Sequence, residues 1–139
     1  MSILFIDPPD ALSIGLVCED YQKQLAGTVD RLYADIFFHI DLIIQKMEVT
    51  RIVTYGAAST KGKECLAIVQ LLCQIYKIEY EAMHVNSVPK YLYGTMHVDF
   101  NSSVIDDFGH IKTRKLGRAL ALQEAWNIKE GLQPRTKGL

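Results

Sequence analysis

The start of the chain places a carboxylate at the end of a buried strand. An apolar run at residues 3–6 ends in Asp7, the turn residues Pro8 and Pro9 follow, and a second apolar run occupies 13–17. Short apolar runs bounded by turn residues predict buried strands, here paired as a hairpin. A buried carboxylate is costly without a partner. We therefore expect Asp7 either to hold a metal ion or to cap the proline turn by accepting backbone N–H bonds.

Length and composition predict one ordinary globular domain. The chain has 139 residues, of which 49% are apolar and 22% charged, and we expect a single domain over 1–130 with a flexible tail at 131–139. It contains no apolar run of about 18 residues and no signal-peptide pattern at its start. Its three cysteines, Cys18, Cys65 and Cys73, lack CxxC spacing. They are typical of reduced core thiols in a cytoplasmic protein.

The charged residues are unevenly distributed along the chain. The net charge is −1, which argues against a protein coated in nucleic acid. A local basic stripe can nevertheless contact phosphates, and a solvated helix face is the alternative interpretation. The candidate phosphate contacts are Lys90, Lys112, Arg114, Lys115 and Arg118.

Further along the chain, strand and helix patterns alternate. Apolar residues three and four apart from Leu32 to Met47 predict a helix capped by Asp30. A second helix should follow a cap at Ser59 or Thr60. Further strands are expected at 51–55 and 78–85, a break at 86–89, a weak edge strand at 96–100 and a final helix at about 112–127. The polar stretch 19–24 carries no strand prediction. This order predicts a mixed sheet with helices as right-handed crossovers.

This order of elements, with Asp7 on the first strand, resembles the ribonuclease H-like fold and, more narrowly, the RuvC family of Holliday-junction resolvases. The likeness rests on three stretches: the hairpin 3–17, the helix and inner strand 31–55, and the strand with its Val-Pro-Lys continuation at 78–94. The resemblance implies an α/β, RuvC-like mixed sheet flanked by helices. It covers about the first two-thirds of the chain.

The resemblance also implies a chemistry, namely Mg²⁺-dependent hydrolysis of phosphodiesters in branched or structured DNA during recombination. In such a nuclease clustered carboxylates hold two Mg²⁺ ions that activate water and stabilise the leaving oxygen. Transferred to this chain, the catalytic residues would be Asp7 and Asp107. The metal ligands would be Asp7, Asp106 and Asp107.

The chain departs from the family pattern at two places. The inner strand should present a glutamate near Thr54 or Tyr55, and none is there. The last helix should carry two acids in a DxxD-like arrangement, but its only acid, Glu124, comes late. An alternative function is therefore a catalytically inactive RuvC-like module that binds DNA structure or serves as a protein-interaction scaffold.

The resemblance further implies a homodimer. The first long helix has apolar residues unusually far around its circumference, which indicates a partner surface on that helix. Its candidate contacts are Phe37, Phe38, Ile40 and Ile44. A different protein partner is the alternative occupant.

Overall fold

A five-stranded mixed sheet forms the centre of the molecule. The computed structural model describes residues 2–9, 12–19, 21–26, 31–95, 100 and 114–132. The strands lie in the order β3-β2-β1-β4-β5; β1–β2 and β2–β3 are antiparallel, whereas β1–β4 and β4–β5 are parallel. Their bounds are β1 Ser2–Asp7, β2 Ser13–Cys18, β3 Tyr21–Ala26, β4 Val49–Tyr55 and β5 Glu79–Met83.

Helices cover both faces of this sheet, because side chains along a strand alternate between the two faces. Leu4 and Ile6 of β1 pack in the same cluster as the buried residues of α1 and α2. Phe5 packs on the opposite face against α4, with Trp126 at 5.8 Å between ring centroids. The described helices are α1 Leu32–Met47, α2 Thr60–Tyr76, α3 Ser87–Tyr93 and α4 Arg114–Lys129.

The last turn of α4 is tied to the sheet by a charged network around Glu81 of β5. Lys129 Nζ lies 2.5 Å from Glu81 Oε2, and Trp126 Nε1 donates to Glu81 Oε1 at 3.3 Å. Arg51 of β4 approaches the same oxygen, Oε1, at 3.2 Å. This network fixes the carboxyl-terminal end of α4 against the edge strand.

The amino-terminal end of α4 approaches the sheet at Gly15. A Cβ atom at residue 15 would lie 2.9 Å from the carbonyl carbon of Lys115 and closer still to its oxygen. Real Cβ atoms do not come so near to backbone, so only glycine permits this contact. Gly15 also pairs directly with Asp7 in the β1–β2 ladder. The helix therefore begins immediately above the end of β1.

Most of the predicted elements are present, with several differences. Ser59 caps α2 by accepting a hydrogen bond from the Gly62 backbone N–H at 3.0 Å, as predicted. Arg31, rather than Asp30, stands at the N-cap position of α1. The predicted strand at 78–85 is limited to β5. Residues 96–99 of the edge strand predicted at 96–100, and residues 133–139 of the tail predicted at 131–139, fall outside the described residues.

Two elements were not predicted. β3 was missed because it is an edge strand with polar residues; among its described side chains, Tyr21 and Leu25 pack on the core. α3 was missed because Pro89 suggested a break; it lies in the first turn of a short helix, where a missing N–H costs nothing.

The cysteines and the helix lengths match the sequence-based expectations. Cys18, Cys65 and Cys73 are free and buried. Burial raises the pKa of Cys65 to about 12 and those of Cys18 and Cys73 to about 11. Within the described ranges, no helix combines the length and apolar character that crossing a bilayer would require.

The close approach at Gly15 can be tested by substitution. We expect Gly15→Ala to lower the free energy of unfolding by about 1–3 kcal/mol, because the new methyl group must push α4 away from the sheet. Urea denaturation measures the change. Gly56→Ala is the matched control, since a Cβ at residue 56 would meet nothing within 4 Å. Equal stability of the two variants would contradict the close approach.

Candidate functional site

Asp7, the last residue of β1, is the centre of the candidate site. It is only 1% exposed, and it follows Phe5 on the face of the sheet that α4 covers. Its backbone partner in the ladder is Gly15, which carries no side chain to stand between the carboxylate and the helix. The carboxylate therefore meets the first turn of α4.

Two cations from α4 contact the same carboxylate oxygen. Lys115 Nζ lies 2.9 Å from Asp7 Oδ2, and Arg118 Nε donates to Oδ2 at 3.1 Å. Residues three apart share one face of a helix, so both side chains reach the same point. Lys115 Nζ also donates to the carbonyl oxygen of Pro8 at 2.8 Å. Within the described ranges the partners of Asp7 are these two cations; residues 10 and 11, whose backbone N–H groups a cap of the proline turn would use, lie outside those ranges.

Aromatic rings enclose the Arg118 guanidinium. Its Cζ atom lies 5.2 Å from the ring centroid of Tyr55 and 4.9 Å from that of Phe100, and the two rings meet edge to face. The Tyr55 hydroxyl donates to the Arg118 carbonyl oxygen at 2.7 Å. Burial, and to a lesser degree the charge of Asp7, raises the pKa of Tyr55 well above its ordinary value. The neutral phenol thus contacts Arg118 twice: its hydroxyl donates to the backbone carbonyl oxygen, and its ring lies against the guanidinium.

The cluster also resolves an electrostatic conflict at the start of α4. Arg114 and Lys115 open this helix, and its first turn contains no acid. Cations at a helix amino terminus are unfavourable because the helix dipole is positive there. Asp7 supplies the missing negative charge from across the sheet. One carboxylate therefore contacts two side-chain cations and lies near the positive end of the helix dipole.

A pair of Mg²⁺ ions does not fit this set of described residues. Such ions need several oxygen ligands, whereas here one carboxylate is already shared by two cations. No group of three or more His, Cys, Asp or Glu side chains that could hold a metal occurs in the described part of the chain. Asp106 and Asp107, the other predicted ligands, lie outside the described residues, as does Asp10.

The predicted phosphate contacts fall into two groups in the structure. Lys115 and Arg118 turn towards Asp7, with side chains 13% and 20% exposed. Lys90 on α3 and Arg114 at the start of α4 are exposed. Lys112 lies outside the described residues. Only the exposed pair is thus fully available to a ligand in solution.

Sequence reasoning overlooked Tyr55, Gly15 and Phe100 as parts of the site. The sequence singles out Tyr55 only because the RuvC family pattern has a glutamate near this position and this chain does not. A usable signal was present, because Lys115 and Arg118 stand three apart in a helix and a buried Asp elsewhere needs positive partners. Pairing those two facts would have predicted the cluster.

The contribution of Tyr55 can be divided between its hydroxyl and its ring. We expect Tyr55→Phe to lower the free energy of unfolding by about 1 kcal/mol through loss of the bond to the Arg118 carbonyl. Tyr55→Leu should cost about 1–2 kcal/mol more, because the guanidinium also loses its aromatic face. Urea denaturation of both variants measures the difference. A Leu variant as stable as the Phe variant would show that the ring contributes nothing.

Comparison with known proteins rests on structure alone. No protein-family model and no curated protein matches the sequence. Among solved structures, RuvC from Thermus thermophilus superposes with a TM-score of 0.72 at 14% identity, covering 97% of this chain and all of that one. RuvC of the same organism in complex with a Holliday-junction substrate gives 0.73 at 13% identity, covering 97% and 99%. The chain therefore has the RuvC-like, ribonuclease H-like fold that the resemblance predicted.

Proposed function

We propose that this protein is a RuvC-like module that binds branched DNA without cleaving it. The observation that carries the proposal is the pairing of Asp7 with Lys115 and Arg118. A carboxylate engaged by two internal cations is a poor ligand for Mg²⁺, because the ion would have to displace both. Fold similarity to a structure with a Holliday-junction substrate supports branched DNA as the ligand.

The DNA-binding surface would lie at the carboxyl ends of the parallel strands. In open α/β sheets ligands bind at this edge. α2 and α4 both begin there, and Ser59 Oγ lies 3.4 Å from the Pro9 carbonyl oxygen, which places the start of α2 beside the end of β1. The exposed cations Lys63 and Arg114 lie in the first turns of α2 and α4 at this edge, and the exposed Lys90 lies in the last turn of the short α3 that follows β5. They are our candidate phosphate contacts, together with Lys112.

A homodimer would have two of these DNA-binding sheet edges, one from each protomer, and would present both to the arms of one junction. Ile40 and Ile44 face the core, and Phe37 is partly buried against it. The outward side of α1 instead shows Phe38, 65% exposed, and Leu42, 46% exposed. We propose this outward side as the dimer contact, and light scattering of the purified protein measures the mass. A different protein partner on the same surface is the alternative.

DNA binding is tested by comparing a four-way junction with a linear duplex of matched sequence. We expect tighter binding of the junction, and a loss of about one unit of salt slope for each phosphate contact removed in Lys90→Ala and Arg114→Ala. Fluorescence anisotropy at several salt concentrations measures both. Lys46→Ala is the matched control, since this exposed cation lies at the opposite end of the sheet. Equal affinity for junction and duplex would contradict the proposal.

Cleavage is tested with the same junction in MgCl₂ or MnCl₂. We expect no strand scission on a denaturing gel. Scission that disappears in both Asp7→Asn and Asp107→Asn would instead establish the metal-dependent nuclease. Scission unaffected by either substitution would indicate a contaminating nuclease, because the nuclease mechanism requires these carboxylates.

A further inference from the structure

We propose that the groove between β3 and α1 binds an extended acidic segment of a partner protein, which adds to the sheet as a further strand beside β3. This goes beyond the proposed function, because it concerns protein recognition and does not depend on DNA. Tyr21 at the groove pairs with Cys18, which pairs with Leu4 near the start of β1. The groove therefore lies at the opposite end of the sheet from the proposed DNA-binding edge.

The first support is the outer edge of β3. This strand pairs with β2 along one edge, and no other described strand lies beyond it. Alternate backbone N–H and C=O groups of an outermost strand point away from the sheet and can pair with an added strand. The side chains of an added strand alternate between the two sheet faces. One of its two rows would therefore lie on the face that α1 covers.

The second support is an apolar cavity of about 170 Å³ on that face, between β3 and α1. Its lining residues are Tyr21, His39, Leu42, Ile43, Lys46 and Met47. A hydrogen bond of 2.8 Å between the Tyr21 hydroxyl and His39 Nε2 joins the strand to the helix beside it. Apolar cavities of about 150 Å³ accept benzene. A leucine or phenylalanine of the added strand would therefore fit as an anchor.

The third support is the charge around this cavity, which comes from two exposed lysines. Lys46 lines the cavity from α1. Lys23 lies between Tyr21 and Leu25 of β3, which both pack on the cluster that contains α1, so it shares their face. Burial, and after it the positive charge of Lys23, lowers the pKa of His39. Acidic side chains on either side of the anchor would thus meet cations on both walls of the groove.

A designed peptide tests the proposal. The probe is acetyl-Thr-Glu-Thr-Leu-Thr-Glu-Thr-amide, in which the leucine and both glutamates share one face of a strand. Titration calorimetry should show binding that weakens at least about tenfold when serine replaces the leucine, because the apolar anchor is lost. No binding at about 1 mM peptide, or equal binding of the serine peptide, would overturn the proposal.

Charge reversal in the protein tests the role of the lysines. Lys23→Glu and Lys46→Glu should each weaken binding of the leucine peptide about fivefold at low salt. Lys77→Glu is the matched control, because this exposed cation lies at the end of α2, outside the groove. Equal affinity of the three variants would contradict the assignment of the groove.

Amide hydrogen exchange tests the addition of a strand. The bound peptide should slow exchange at alternate residues of β3, because their N–H groups gain carbonyl partners. Peptide binding that leaves the exchange of β3 unchanged would overturn strand addition.

Two further outcomes would assign the groove to a different ligand and overturn the proposal. Dissociation of protein dimers by the peptide, measured by light scattering, would place a second copy of the chain there. A loss of affinity for the four-way junction in Lys46→Glu would place DNA there. We expect Lys46→Glu to lose peptide binding and keep junction binding. Failure of the wild type to bind the junction leaves this proposal standing.

Discussion

The structure depends on one buried carboxylate and the charges that compensate it. Asp7 cannot lie at the end of a core strand as an isolated anion, and the first turn of α4 cannot carry two cations against its own dipole without an anion nearby. When α4 packs on β1, Asp7 gains cationic partners and the start of α4 gains a nearby anion. Gly15 makes that packing close enough, and the Glu81 network holds the opposite end of the helix.

The sequence predicted the fold better than it predicted the site. Apolar periodicity identified β1, β2, α1, β4 and α2 because these elements bury a clear face. It missed β3, a polar edge strand whose described core contacts come from Tyr21 and Leu25, and α3, where Pro89 indicates a break. Asp7 was identified from its position alone. Its partners were not, because the pairing joins opposite ends of the chain and no local pattern reports such contacts.

The fold of this molecule does not by itself set its chemistry. The RuvC structures share its architecture over almost the entire chain, at 13% and 14% identity. What a fold does is decided by the side chains placed on it. At the end of β1 and β4 those side chains are a carboxylate, a phenol, an ammonium and a guanidinium. Together they form a largely buried charged cluster that lies beside the exposed Arg114.

The pairing of β1 with α4 has a consequence for how the chain folds during synthesis. Asp7 leaves the ribosome more than a hundred residues before Lys115 and Arg118. Until they appear, the sheet face that carries Phe5 and Val53 lacks α4 and has only the short α3 to pack on it. Contacts so distant in sequence form late and slowly. The nascent chain must therefore tolerate a partly exposed apolar face until α4 has been made.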